Sequence, residues 1–132
     1  MSIKLPRIAI LQDKHPKYIY YTTKNKKNED SFKFETMADM FIMSALMGFH
    51  LSRPKPFSEG ERIERPVKWD VFMKNESHMQ IIKSICLLHF KDKPKKAKVL
   101  LDNEEMAKIM EEYANGGITH LLLALEDGPD FE

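Results

Sequence analysis

Apolar residues recur at helical spacing in three long stretches of the chain and in alternation in a few short ones, with polar, Pro-rich or Gly-rich segments between them. Lys17–Thr23 (KYIYYTT) is rich in aromatic and β-branched residues behind Pro16, which predicts a short strand. Lys24–Ser31 has no apolar residue and reads as an exposed loop. Phe32 and Phe34 alternate with Lys33 and Glu35, as in a second short strand or an apolar lead-in to the next helix. That helix starts at Thr36, whose hydroxyl stands three residues before Asp39 in the manner of a capping box, and it runs to Met47. Gly48, free to take the left-handed conformation, is its expected stop. Met37, Met40, Phe41, Ile42, Met43, Leu46 and Met47 cover most of its circumference, so it is buried centrally or lies in an interface.

From 49 to 66 the chain carries Pro54, Pro56 and Pro66 around an internal Ser-Glu-Gly, a pattern that excludes a continuous helix and predicts a long ordered loop across the surface. Val67–Phe72 (VKWDVF) alternates like a short strand or extended arm and holds the single tryptophan. Asn75 caps a helix over 76–90, with Met79, Ile82, Ile85, Cys86 and Phe90 as its inner stripe, widened by Ile81 and Leu88. Lys91–Lys98 is a basic loop broken by Pro94 and followed by the apolar run Val99–Leu101. Asp102 or Asn103 caps a third helix over 103–114, striped by Met106, Ile109, Met110 and Tyr113, and Asn115-Gly116-Gly117 is expected to end it. Ile118–Glu126 reads as a last short helix and 127–132 as an acidic tail. The expectation is a mainly α fold with a few short β-strands (α+β), one compact domain over 1–132 with three to four helices. Its basic N-terminal segment, 1–31, is expected to be partly flexible.

Composition narrows the class. At 132 residues, 42% hydrophobic and 31% charged, the chain is long enough for one core and too charged for a membrane bundle. Its longest nearly apolar stretch, Met37–Leu51, contains Asp39 and His50 and falls short of the roughly 20 residues a membrane span requires. The N-terminus shows no apolar leader with a small-residue cleavage site, and the lone Cys86 cannot form an internal disulfide, so a cytoplasmic setting is expected. The net charge of +1 conceals a polarity: residues 1–34 are rich in lysine, whereas 102–132 carry Lys108 against nine carboxylates.

Candidate chemistry is sparse. Cys86 and His89 lie three apart on a helix, but a zinc site needs about four ligands and no second pair has fitting spacing, so no metal or cofactor is expected. As a nucleophile Cys86 would need an accessible, thiolate-favouring setting, and it falls on the inner stripe. There is no phosphate-cradling glycine loop, and the paired glutamates at 104–105 and 111–112 fit helix ends and polar faces. The expectation is that the protein is not an enzyme. Two basic surfaces remain as candidates for contact with DNA phosphates: Arg53, Lys55, Arg62, Arg65 and Lys68 on and after the Pro-rich loop, and Lys93, Lys95 and Lys96 in the second basic loop, flanked by Lys91 and Lys98. Interleaved Glu59, Glu61 and Glu64 reduce the first to a small surplus.

Three segments in this order carry a likeness to a known family: FETMADMFIMSALMGFHLSRPKPF at 34–57, VKWDVF at 67–72 and EEYANGGITHL at 111–121. Together they resemble the small accessory proteins associated with DNA phosphorothioation (dnd) defence systems. Members look similar in an aromatic-Thr lead into an apolar helix ending in Gly-Phe or Gly-Tyr, a basic Arg/Lys-Pro stretch and a late Tyr-Ala-Asn-Gly-Gly segment. The resemblance implies a non-catalytic adaptor in a bacterial restriction system that spares sulfur-modified DNA, with larger restriction or modification subunits as partners and DNA as a further contact. It casts Met40, Met43, Met47, Phe49, Tyr113, Asn115 and Gly116 as a docking surface and leaves homo-oligomerisation open. The N-terminal 30 residues fall outside it. A different class, a ribbon-helix-helix transcription regulator, also starts with a strand, a capped helix and a Gly turn, but Pro54 and Pro56 block the second helix such a module needs.

Overall fold

The computed structural model describes residues 5–23, 33–93 and 102–126. Strand β1 (Arg7–Leu11) leads into α1 (His15–Thr22), followed by α2 (Met37–His50), β2 (Ile63–Lys68), α3 (Trp69–Met73), α4 (Glu76–His89) and α5 (Asn103–Glu126). The class is the expected α+β: helices around one antiparallel two-stranded ribbon, with five helices among the described residues instead of three or four. One core takes side chains from all seven elements, with Trp69, Phe41, Phe72, Ile8, Met40, Ile82 and Met110 fully enclosed.

Helix α5 is the spine. Its buried face runs from Met106 and Met110 through Tyr113, Ala114 and Gly117 to Leu121 and Leu122 without interruption. The expected stop at Asn115-Gly116-Gly117 and the separate helix 118–126 are therefore corrected to one continuous helix. Glycine inside a helix costs about 1 kcal/mol relative to alanine, and here the space it leaves is occupied. A methyl group at Gly117 would collide with the carbonyl oxygen of Ser44, and one at Gly48 with that of Tyr113. Helices α2 and α5 thus cross backbone against backbone.

Gly48 is likewise not a stop, since α2 continues to His50. The true end is a Schellman closure: Ser52 N–H donates to Phe49 O (3.0 Å) and Arg53 N–H to Gly48 O (2.9 Å), with Ser52 left-handed at φ 54°. The start is as expected, because Thr36 and Asp39 form a reciprocal capping box. Asn75 caps α4 through His78 N–H (3.0 Å), and Asp102 accepts from Glu104 and Glu105 N–H at the head of α5 (2.9 and 3.2 Å). His78 Nε2 and Asp39 Oδ1, 2.8 Å apart, link the first turns of α4 and α2.

The strand expected over Lys17–Thr23 is helix as far as Thr22: Pro16 sits in the first turn of α1, where its missing N–H is harmless, and Tyr18 and Tyr21, three apart, are both buried. Phe34 belongs to no strand; it packs on the core, and its N–H donates to Tyr21 O (3.1 Å). The strand expected at 67–72 is shifted, since β2 spans Ile63–Lys68 within the expected loop and Trp69 opens α3, which places both Trp69 and Phe72 in the core. Its partner β1 pairs Arg7 with Lys68, Ile8 with Val67 and Ile10 with Glu64, with an irregularity at Ala9.

Residues 5–23, part of the segment expected to be partly flexible, run alongside α5. The Ala9 N–H donates to Glu111 Oε2 (2.6 Å), and Lys17 Nζ reaches Glu126 Oε1 (2.8 Å). The polar stretch Lys24–Ser31 with Phe32, most of the second basic loop with Lys95 and Lys96, Val99–Leu101 and the acidic tail 127–132 lie outside the described residues. No helix among the described residues is long and apolar enough to cross a membrane.

Candidate functional site

Once α2 has closed at Ser52, its proline-spaced continuation crosses α5 as a strap. The strap is held through the backbone of Lys55: its N–H donates to Glu112 O (2.8 Å), and its carbonyl accepts from Asn115 Nδ2 (2.8 Å). Gly116 allows the crossing, because a methyl there would collide with the Arg53 carbonyl. Prolines suit this segment, since they hold it extended and need no N–H acceptors of their own. The Arg/Lys-Pro stretch and the Tyr-Ala-Asn-Gly-Gly segment are therefore two halves of one contact.

Beside the strap lies an open groove of about 750 Å³, lined by Leu46, Phe49 and His50 of α2, Ser52 and Pro54 of the strap, Leu88, His89 and the following Lys91 of α4, and Tyr113 of α5. Its floor is aromatic. The Tyr113 ring meets Phe49 edge-on (5.4 Å, 75°) and His89 perpendicularly (5.4 Å, 89°), and the Tyr113 hydroxyl shares a 2.7 Å hydrogen bond with His89 Nδ1. Burial, with smaller effects of Cys86 and Glu112, pushes the Tyr113 hydroxyl above its ordinary 10.0, so it stays protonated at neutral pH. The imidazole is thus oriented by a neutral phenol.

The docking candidates divide between surface and interior. Met40 is wholly enclosed, and Tyr113 and Asn115 are more than nine-tenths buried, so they hold the fold together and offer little surface. Gly116 lies under the strap. Met47 and Phe49 are half-buried, and Met43 is exposed.

The basic candidates do not form one patch. Arg53 and Lys55 are exposed on the strap, and Lys93 is exposed two residues beyond Lys91. Arg62, Arg65 and Lys68 are exposed on or beside the ribbon, where Arg7 Nε donates to Arg65 O (2.9 Å). Arg7 and Arg65 share a second groove with Lys108 and with Glu104, Glu105, Glu111 and Glu112 of α5. In that groove burial, the largest influence, raises the Glu111 carboxyl above its ordinary 4.5, while the Ala9 N–H and Arg65 pull it the other way.

Cys86 and His89 do not converge. Cys86 is fully buried with Sγ toward Met106 O (4.0 Å), and burial pushes its thiol up to about 12, whereas His89 is held by Tyr113. Among the described residues no three His, Cys, Asp or Glu side chains gather as metal ligands. Sequence reasoning marked Lys91 only as part of a basic loop, placed Leu88 on the inner stripe of α4 although it is half exposed, and missed His50. Their signal was faint: each follows a helix's inner stripe by one or two positions, where a side chain borders a groove and does not fill the core.

The fold and site define a small helical protein whose distinctive residues lock two helices and a strap around an aromatic groove. The family model for DNA sulphur modification system-associated protein 4 matches residues 7–132, and the chain belongs to that family. Its association is thus with a DNA sulphur modification system, in agreement with the resemblance carried by the three segments. No curated protein and no solved structure matches it.

Proposed function

We propose that the protein is a non-catalytic accessory component of a restriction system that reads DNA phosphorothioation, working through contacts with the larger restriction or modification subunits, and that DNA-backbone contact is secondary. The observation that carries this reading is the use made of the family's distinctive residues. Gly48, Tyr113, Asn115, Gly116 and Gly117 build a rigid crossing of α2, α5 and the strap, which is what a docking platform requires. The polar groups nearest to chemistry support it too, since Cys86 is a sealed, protonated thiol and His89 is tied to a neutral phenol. A secondary role for DNA is supported by the four carboxylates of α5 in the groove that holds Arg7 and Arg65, which offset their field.

The test is an affinity pull-down of the tagged protein from its native host, with half of the eluate treated with nuclease and the partners identified by mass. Large system subunits retained after nuclease treatment are the expected result. Partners that vanish with the DNA, together with sequence-specific binding of the protein to its own promoter, would replace this reading with that of a transcription regulator.

A further inference from the structure

Four apolar side chains, Leu46, Phe49, Leu88 and Tyr113, line the groove, and both helices that frame it carry further exposed apolar side chains. Leu88 and its neighbour Leu87 are about half exposed (49% and 50%), and Met43 on α2 is 41% exposed. An isolated exposed leucine carries no message, whereas apolar side chains gathered around a concave surface with a polar rim mark a place where another chain is buried.

The rim is cationic. Lys91 lines it, exposed Arg53 and Lys55 flank the lining Pro54 on the strap, and no carboxylate stands among the described lining residues, the exposed Asp92 following Lys91 just outside it. The carbonyl ends of α2 and α4 both point to this side, and cations near them are favoured. Lys91 follows α4 and the strap cations follow α2, which leaves a basic surplus facing outward.

We propose that this groove docks an acidic, apolar segment of a partner protein, its carboxylates toward Lys91 and the strap and its large side chains on Leu88 and Phe49. The proposal rests on the accessory-protein reading above and adds the surface and the chemistry of what it receives. A nucleic acid fits less well. Single strands bind along rows of open aromatic faces, and with the Tyr113 ring buried the groove offers the half-buried Phe49 in place of such a row.

The probe is a displayed library of short random peptides selected on the full chain, followed by titration of the enriched peptides against the wild type and a Leu88→Arg/Lys91→Glu double variant. Both positions are exposed, and an unchanged unfolding transition confirms that the variant folds. Acidic peptides bearing Leu, Phe or Trp, weakened about ten-fold or more by the double substitution, are the expected outcome. Enriched peptides without acidic residues, or equal affinity for both proteins, overturn the proposal. So does a duplex or single-stranded oligonucleotide that binds the wild type and is lost in the variant, which would assign the groove to nucleic acid. The same variant in the native pull-down separates the two ideas. Subunits recovered by the wild type and lost by the variant support the groove; subunits recovered equally by both overturn the groove and leave the accessory role standing; subunits recovered by neither overturn both.

Discussion

Gly48 and Gly117 meet backbone to backbone where α2 crosses α5, each occupying space that a methyl group on the other would need. In an exposed helix, replacing glycine by alanine adds up to about 1 kcal/mol of stability. Here the sign reverses, because the atoms in the way are carbonyl oxygens and amide nitrogens that cannot rotate aside. Gly48→Ala and Gly117→Ala should each destabilise the fold by about 2 kcal/mol or more. Urea denaturation measures this directly, and a variant as stable as the wild type would show that the helices do not cross this closely.

The strap depends on Asn115. Asn115→Ala removes the donor to Lys55 O and should lower stability by about 1–2 kcal/mol. The better readout is local. Hydrogen exchange at the Lys55 amide, bonded to Glu112 O, should accelerate well beyond that of amides in the core of α5, whereas a purely global effect would speed both together.

Glu111 gives the protein a pH signature. Its folded carboxyl sits above the ordinary 4.5, so the folded chain keeps this proton at pH values where the unfolded chain has released it. The stability this contributes is fully present below about 4.5 and is lost as pH rises through the raised folded value. Glu111→Gln keeps an acceptor for the Ala9 N–H and removes the titration. Unfolding free energies measured across that window should fall with rising pH in the wild type and fall less steeply in the variant; parallel curves would contradict the burial of this carboxyl.

Cys86 serves as a reporter of the interior. With its thiol pushed up to about 12 and the side chain fully enclosed, a disulfide reagent at mildly alkaline pH should label it only as fast as the molecule opens. Labelling should therefore track added urea. Immediate reaction with the native protein would place Cys86 at the surface.

Helix starts were legible in the sequence and several helix ends were not, for a physical reason. A cap is a local device, and Thr36, Asn75 and Asp102 do locally what their side chains suggest. A glycine has two unrelated uses, a left-handed turn or a close approach of backbones, and only the distant partner decides between them. Gly48 and Gly117 have such partners in each other's helices, while the residue that does turn left-handed is Ser52. Aromatic content misled at Lys17–Thr23, where the three-residue spacing of Tyr18 and Tyr21 was the better guide. The groove was partly legible: Phe49 and Tyr113 were marked, but Leu88, His50 and Lys91 meet them only through the packing of α4 and α2 on α5.

The course of the first described residues along the last helix carries a consequence for how the molecule is made. Ala9 waits for Glu111, 102 positions later, and Lys17 for Glu126, 109 positions later. Without α5, β1 and α1 keep β2 and α2 as neighbours but lose part of the cover over Ile8, Ile10, Tyr18 and Tyr21. A chain truncated within α5 should therefore present part of that apolar surface to chaperones and proteases.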